Sequence, residues 1–401
     1  MSKKLLSYQD ELKQELDSIL TYWVNRTIDN SNEGFVGRID ENEEIDHNSS
    51  KGLVLNSRLL WTFSAAYNQT KNDIYLHLAY RAYSFITNHF RDTEFGGVYW
   101  TVDAAGRPLD KRKQIYGLAF CQYGLAEFYK ATKNEKAKEF AIDLFNVIEA
   151  HSFDKKNLGY FEAFTQDWKE LGDLRLSEKD DNEKKTMNTH LHVIESYTNL
   201  YKIWPSPKVK LQIQNLLKVF HNHIINQKTM HLDLFFDENW VVKSNLVSYG
   251  HDIEAAWLLL ESAEAIEDHR WIDLFKQISI AITEAASEGL DKAGGIWYEY
   301  LPTQDHLVTE KHWWPQAEAM VGLFNAYQIT RNNKYLTLSI QTWGFVKKHL
   351  KDNKFGEWIW GVDADNSPMK GQDKVGFWKC PYHNSRACIE IINRIDKLLD
   401  H

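Results

Sequence analysis

The chain has little of what would mark it as secreted, membrane-bound or nucleic-acid-binding. It carries three cysteines, Cys121, Cys380 and Cys388, in 401 residues. A sparse, odd set makes no disulfide framework and fits a reducing compartment. Positive charge is outweighed, with 47 Lys and Arg against 56 Asp and Glu and a net charge of −9. A phosphate-neutralising surface, and so a nucleic-acid partner, is not expected. No apolar run approaches the roughly 18 residues that span a bilayer. The opening MSKKLLSYQDELKQEL has the charge of a signal n-region but is interrupted by acids at once, so it reads as a first helix. A cytoplasmic protein with no membrane contact is expected. With seven prolines and no Gly/Ser linker, residues 1–401 read as one domain.

What is abundant is aromatic. Fifteen Trp, 19 Tyr and 20 Phe exceed what a helical core needs. The excess suits a lined cleft, because the C–H faces of sugar rings stack on aromatic rings.

Short Gly-aromatic segments recur: Gly34–Gly37, Phe95–Trp100, Gly159–Glu162, Gly294–Glu299 and Phe355–Trp360. Their spacing is about 62 residues, except for one gap of about twice that, and such a period signals a repeat architecture. A copy without glycine, His231–Phe236, lies within that gap. Between the segments, stretches such as Leu53–Phe63, Ile115–Tyr129 and Ala255–Ile266 carry apolar residues at helical spacing. Turn signals at Asn72-Asp73, Lys133-Asn134, Pro205-Ser206-Pro207, Glu267-Asp268 and Asn332-Asn333 cut each unit into two helices. Six helical hairpins predict an all-α, closed (α/α)6 barrel, with short β-hairpin loops gathered at one end around a pocket. An open solenoid is the alternative, but its repeats are usually shorter.

Two motifs set a histidine where a loop becomes a helix: Ser248-Tyr-Gly-His-Asp-Ile-Glu254 and Trp378-Lys-Cys-Pro-Tyr-His-Asn-Ser-Arg386. His251 and His383 can therefore accept and return a proton near neutral pH without a metal. Glu254, three residues beyond His251, either orients that imidazole or binds substrate hydroxyls; helix capping is the plainer reading. A zinc site at His-x-x-Glu lacks a third ligand at standard spacing. Asn188, His192 and Glu195 share a helix face, while His190 lies off it. Arg58 is a lone cation in an apolar helix and needs an acceptor, either a structural carboxylate or a substrate oxygen. Trp313 and Trp314 cannot both face inward, and Glu318 lies one turn beyond Trp314. No G-x-G-x-x-G or P-loop is present, so no cofactor or metal is expected.

Taken together, Asn56–Trp61, Asp92–Trp100, Lys185–His192, Ser248–Ala255, Trp313–Ala319 and Trp378–Arg386 resemble the N-acylglucosamine 2-epimerase family, and within it the cellobiose 2-epimerases. The resemblance runs along essentially the whole chain. It implies cofactor-independent inversion at C2 of a reducing-end glucose, with His251 and His383 as the acid/base pair. Arg58 and His192 match residues at the reacting oxygens. Tyr116, Asn188, Glu254, Trp314, Glu318 and Trp378 match pocket residues. The implied partner is a reducing disaccharide or monosaccharide, bound by a monomer or weak dimer. Mannose or N-acylglucosamine 2-epimerisation remains an alternative. From other classes, so do a glycoside hydrolase on the same barrel and a non-catalytic sugar-binding protein.

Overall fold

A computed structural model describes residues 2–399, which form twelve α-helices. They are α1 (Ser2–Arg26), α2 (Leu53–Thr70), α3 (Asp73–Phe85), α4 (Ile115–Thr132), α5 (Glu135–His151), α6 (Met187–Ile203), α7 (Pro207–Val219), α8 (Tyr249–Ala265), α9 (His269–Ala286), α10 (Trp313–Thr330), α11 (Asn333–His349) and α12 (Tyr382–Leu399). The even-numbered helices form a ring in which each packs on the next, and α12 closes back onto α2. The odd-numbered helices lie against them. The expected (α/α)6 barrel is therefore present. Its sixth helix pair is made from the two ends of the chain, α1 on α12.

The inner helices are buried over most of their length, α2 without a break from Leu53 to Ala66. Those walled in on all sides show little amphipathic period; α12 is the exception, since its C-terminal part reaches water at Asp396 and Lys397. The outer helices are amphipathic and keep one face in water. The tight turns fall where the sequence signals put them. Lys71, Lys133 and Arg331 adopt the left-handed conformation, with φ of 57°, 57° and 58°. Each is followed by an asparagine whose side chain caps the next helix: Asn72, Asn134 and Asn332 accept from a backbone N–H of α3, α5 and α11. Such caps satisfy amides that the helix leaves unpaired.

At the opposite end every outer helix runs into a Gly-aromatic segment, which folds back as a small antiparallel hairpin. The six bridges are Ile28↔Phe35, Arg91↔Val98, Phe153↔Tyr160, Ile225↔Leu232, Leu290↔Ile296 and Lys351↔Trp358. The segment without glycine is thus a true member of the set. Each inner helix is led in by residues that pair with the following unit, as in Lys51↔Val102, Lys113↔Phe164, Lys185↔Phe236 and Lys311↔Val362. Ile39↔Val375 stitches the last unit to the first.

One buried ion pair recurs in this stitching. Lys51, Lys113 and Lys185 bond Asp29, Asp92 and Asp154 at 2.8, 2.6 and 2.8 Å. Lys311 reaches Asp291 at 3.2 Å, and Lys379 pairs with Glu357 at 2.9 Å. The other oxygen of each aspartate accepts two backbone N–H groups of its own turn, as Asp92 does from Glu94 and Phe95. A buried carboxylate of this kind is tolerable only with its cation. Where the lysine is missing, at Val247, the turn carboxylate is missing too. Asn226 takes its place and bonds the same two amides, those of Lys228 and Thr229.

Candidate active site

The recurring lysine gives the inner helices a common register. Seven residues beyond each lysine or its equivalent stand Arg58, Phe120, His192, Glu254, Glu318 and Arg386. All six are buried and converge on the barrel axis. One turn nearer the helix N-termini lie Tyr116, Asn188, His251, Trp314 and His383. These two layers make the floor and inner wall of a cavity of about 880 Å³, which opens at the end carrying the Gly-aromatic loops. It is lined by Arg58, Tyr116, Asn188, His192, His251, Glu254, Trp314, Trp378 and His383.

His251 is in the first turn of α8. Its Nδ1 meets Ser248 Oγ at 2.8 Å, and its ring lies 4.7 Å from that of Trp314. One edge of the ring stays open to the cavity. Glu254 turns away from His251 to Arg386, so the residue orienting this imidazole is Ser248. His383, the second residue of α12, bonds Glu318 Oε1 through Nδ1 at 2.7 Å and lies 5.7 Å from the Trp314 ring. The same indole therefore touches both imidazoles. Among the described residues no group takes Nε2 of either ring. Burial pulls both well below the ordinary histidine range, helped at His383 by Arg58 and Arg386 and at His251 by His192 and Lys179. Burial thus favours the neutral form of each, with a nitrogen lone pair available.

Arg58 donates to the Tyr116 hydroxyl at 2.9 Å and rests on the face of Phe120 at 4.2 Å. Cys380 Sγ lies 3.9 Å from Nη1. Among the described residues it has no carboxylate partner, so the structural alternative does not hold. A buried cation held by neutral groups at a cavity floor favours an oxyanion there. His192 bonds Glu195 through Nδ1 at 2.8 Å, with Tyr116 against its ring at 5.1 Å. Asn188 Oδ1 is buried and finds no partner among the described residues. Trp313 is 3 % exposed and packs on Trp360, which leaves Trp314 as the tryptophan at the histidines. Trp378 stands beside Tyr116, 5.9 Å between rings. His190 lies outside this set: Nδ1 bonds Thr186 O and Nε2 accepts the Tyr160 N–H, two backbone contacts that hold a loop.

Two residues outside the expected set, Arg386 and Glu195, lie beneath the floor. Arg386 donates through Nη2 to Glu254 and Glu318, at 2.6 Å each, and through Nη1 to Glu195. Glu254, Glu318 and His383 bring three potential metal ligands within 4.8 Å of one another. The cation in that cluster is the Arg386 guanidinium. Arg386 could have been found by counting seven residues from Lys379, whereas Glu195, ten beyond Lys185, is marked only by sharing a helix face with Asn188 and His192. Motif by motif, that register is invisible.

Residues 34–387 match the model of the N-acylglucosamine 2-epimerase (GlcNAc 2-epimerase) family, and the chain belongs to that family. Within it, the chain is 48% identical to the cellobiose 2-epimerase of Bacteroides fragilis, over 96% of this chain and 98% of that one. The solved cellobiose 2-epimerase of Bacillus thermoamylovorans superposes with a TM-score of 0.92 at 38% identity, covering 97% of this chain and 99% of that one. That of Spirochaeta thermophila gives 0.93 at 37% identity, covering 98% of each.

Proposed function

We propose that this protein is a carbohydrate epimerase that inverts C2 of the reducing-end glucose of β-1,4-linked disaccharides such as cellobiose and lactose. Residues 1–401 act as one catalytic domain. The reading rests on one observation above all: two imidazoles, His251 and His383, share one indole at a cavity whose floor carries an arginine that has no carboxylate partner among the described residues. The similarity to cellobiose 2-epimerases supports the disaccharide. A cavity of about 880 Å³ has room for more than one sugar ring.

The chemistry follows from the groups present. The sugar ring opens, since only the aldehyde makes the C2 proton acidic. One imidazole takes that proton, and the electron pair moves into the C1 carbonyl to give a cis-enediolate. Arg58 faces the developing oxyanion, where preorganised donors lower the barrier most, and the Nε2 side of His192 accepts from a neighbouring sugar hydroxyl. After rotation about C2–C3 the other imidazole, carrying a proton from solvent, delivers it to the opposite face. Solvent then resets both rings. Asn188 and the unbonded Oε2 of Glu254 are left to hold sugar hydroxyls. No step needs a metal or cofactor.

A hydrolase would need two carboxylates flanking the scissile bond. Glu254 and Glu318 instead share one guanidinium nitrogen, each 2.6 Å from it, and cannot take opposite sides of a glycosidic bond. The test is incubation with cellobiose in D₂O. A glucosyl-mannose carrying deuterium at C2 is expected. Release of free glucose, or product that keeps all of its original C2 hydrogen, would overturn the reading.

A further inference from the structure

Arg386 is fully enclosed, 1 % exposed, and touches no solvent-facing part of the cavity. It nevertheless organises most of the floor. Its three carboxylate partners come from three helices: Glu195 on α6, Glu254 on α8 and Glu318 on α10. Its stem is on α12, one turn beyond His383. The guanidinium also lies over the rings of Trp257 and Tyr382, at 4.9 and 4.3 Å.

The hydrogen-bond inventory of two of these glutamates is closed. Glu318 Oε1 accepts from His383 Nδ1 and Arg386 Nη2, and its Oε2 accepts from Trp257 Nε1 at 3.0 Å. Glu195 Oε2 meets His192 Nδ1, and Oε1 accepts from Arg386 and the Tyr382 hydroxyl. Arg386, Trp257 and the tyrosine hydroxyl can serve a carboxylate only as donors here, so each glutamate acts as an acceptor throughout. A carboxylate that only accepts forces the facing imidazole nitrogen to carry hydrogen. His192 and His383 must then both be Nδ1–H tautomers, with Nε2 bare. Two carboxylates this deeply buried need a cation to remain ionised. Arg386 is the one in contact with both.

We propose that Arg386 is a positioning residue that sets the tautomer of His383 and His192 together, by pinning Glu318 and Glu195 as carboxylates, without itself touching substrate. This deepens the epimerase reading and rests on it for its catalytic consequence. The tautomers themselves are a property of the resting protein. The arrangement also joins the helix bearing His383 to three of the other inner helices.

The first measurement is nitrogen-15 NMR of the histidine rings in the wild-type protein at neutral pH, with His192→Gln and His383→Gln used for assignment. Nδ1–H with unprotonated Nε2 is expected at both rings. An Nε2–H tautomer at either one overturns the proposal, whatever the enzyme's activity. The second is Arg386→Gln and Arg386→Lys, assayed on cellobiose and checked by circular dichroism. For a folded Arg386→Gln we expect kcat down by about 10²–10⁴-fold, the scale of losing acid–base function, with KM changed little. The ring signals of His383 should lose their Nδ1–H preference, and Arg386→Lys should recover part of both. A folded Arg386→Gln with wild-type tautomers, or with its loss confined to KM, overturns the proposal. If Arg386→Gln does not fold, Glu195→Gln reads the same link at His192. There the ring should lose its Nδ1–H preference, and an unchanged ring counts against the proposal. If no C2 epimerisation occurs in the wild type while the NMR result holds, the functional reading fails and the tautomer device stands.

Discussion

The indole of Trp314 lies directly on the backbone of Gly250: a β-carbon at position 250 would come within 2.6 Å of its Cη2. Only glycine lets the first turn of α8 meet the tryptophan that touches both His251 and His383. Gly250 is thus a packing requirement of the catalytic pair, one residue before His251. In Gly250→Ala we expect the indole to be displaced, with a destabilisation of about 1–3 kcal/mol typical of overpacking. Activity should fall by more than about tenfold, since small displacements of reacting groups are costly. Tryptophan fluorescence, thermal unfolding and turnover of cellobiose measure the three effects. Unchanged turnover in the variant would show that Trp314 does not position the imidazoles.

His251→Ala and His383→Ala should each lower epimerisation by about 10²–10⁴-fold, the usual contribution of a general acid or base. Their circular dichroism should match the parent, because neither ring supports a backbone contact. A folded variant that keeps more than about a tenth of the activity removes that histidine from the acid/base pair. Exchange of C2 hydrogen with solvent, followed separately from product formation, shows whether one base still works when the other is gone.

The buried pair Lys113–Asp92 offers a stability test with an internal precedent. Both side chains are 0 % exposed. Lys113→Val alone leaves Asp92 uncompensated and should cost about 3–5 kcal/mol. The double variant Asp92→Asn, Lys113→Val copies the natural combination of Asn226 and Val247, and should be the more stable of the two. Urea unfolding of both proteins decides it. A double variant no better than the single would mean that the missing pair at position 247 is not a compensated replacement.

Glu162 gives a pH dependence. Its carboxyl is 1 % exposed and caps the start of α6 through Thr186 N and Thr189 Oγ1, at 2.7 and 2.5 Å. Burial pushes its pKa up to about 8. The folded protein then holds a proton that the unfolded chain releases at the ordinary value of 4.5. The contribution to stability is whole below 4.5 and is lost as pH rises to about 8. Glu162→Gln, whose amide can make both contacts without a charge, should be insensitive over that range. The stability difference between wild type and variant should therefore move by more than about 1.4 kcal/mol, one pKa unit, in favour of the variant between pH 5 and pH 8.5. Parallel denaturation curves at the two pH values would contradict this.

Much of the architecture is written along the chain, for a physical reason. The period of about 62 residues, the Asn-capped turns and the helical spacing are local properties, and local properties of a repeat dictate six similar units. The positions of His251 and His383 are of the same kind. Pro381 just ahead of α12 favours a first helical turn at His383, and Ser248 stands at the N-cap position of the turn that carries His251. Ring closure was implied by the number of units. That the last pair would unite α1 with α12 depends on two chain ends hundreds of residues apart, and no local signal carries it.

The chemistry of the site divides along the same line. Residue types and helix faces single out Arg58, His192 and Glu254 in the sequence, but not their partners. That Arg58 has no carboxylate, that Ser248 rather than Glu254 orients His251, and that Glu318 holds His383 are outcomes of six helices meeting on one axis. Arg386 shows it best. In the sequence it is a charge at the end of a motif. In the barrel it stands opposite three glutamates from three other helices: equal offsets from the stitched helix starts bring Glu254 and Glu318 to its depth, and Glu195, one turn deeper along α6, reaches it from there. The sequence by itself determined which side chains reach that depth; only the tertiary structure decided which of them would face one another, since contacts across the axis join residues that share no local segment.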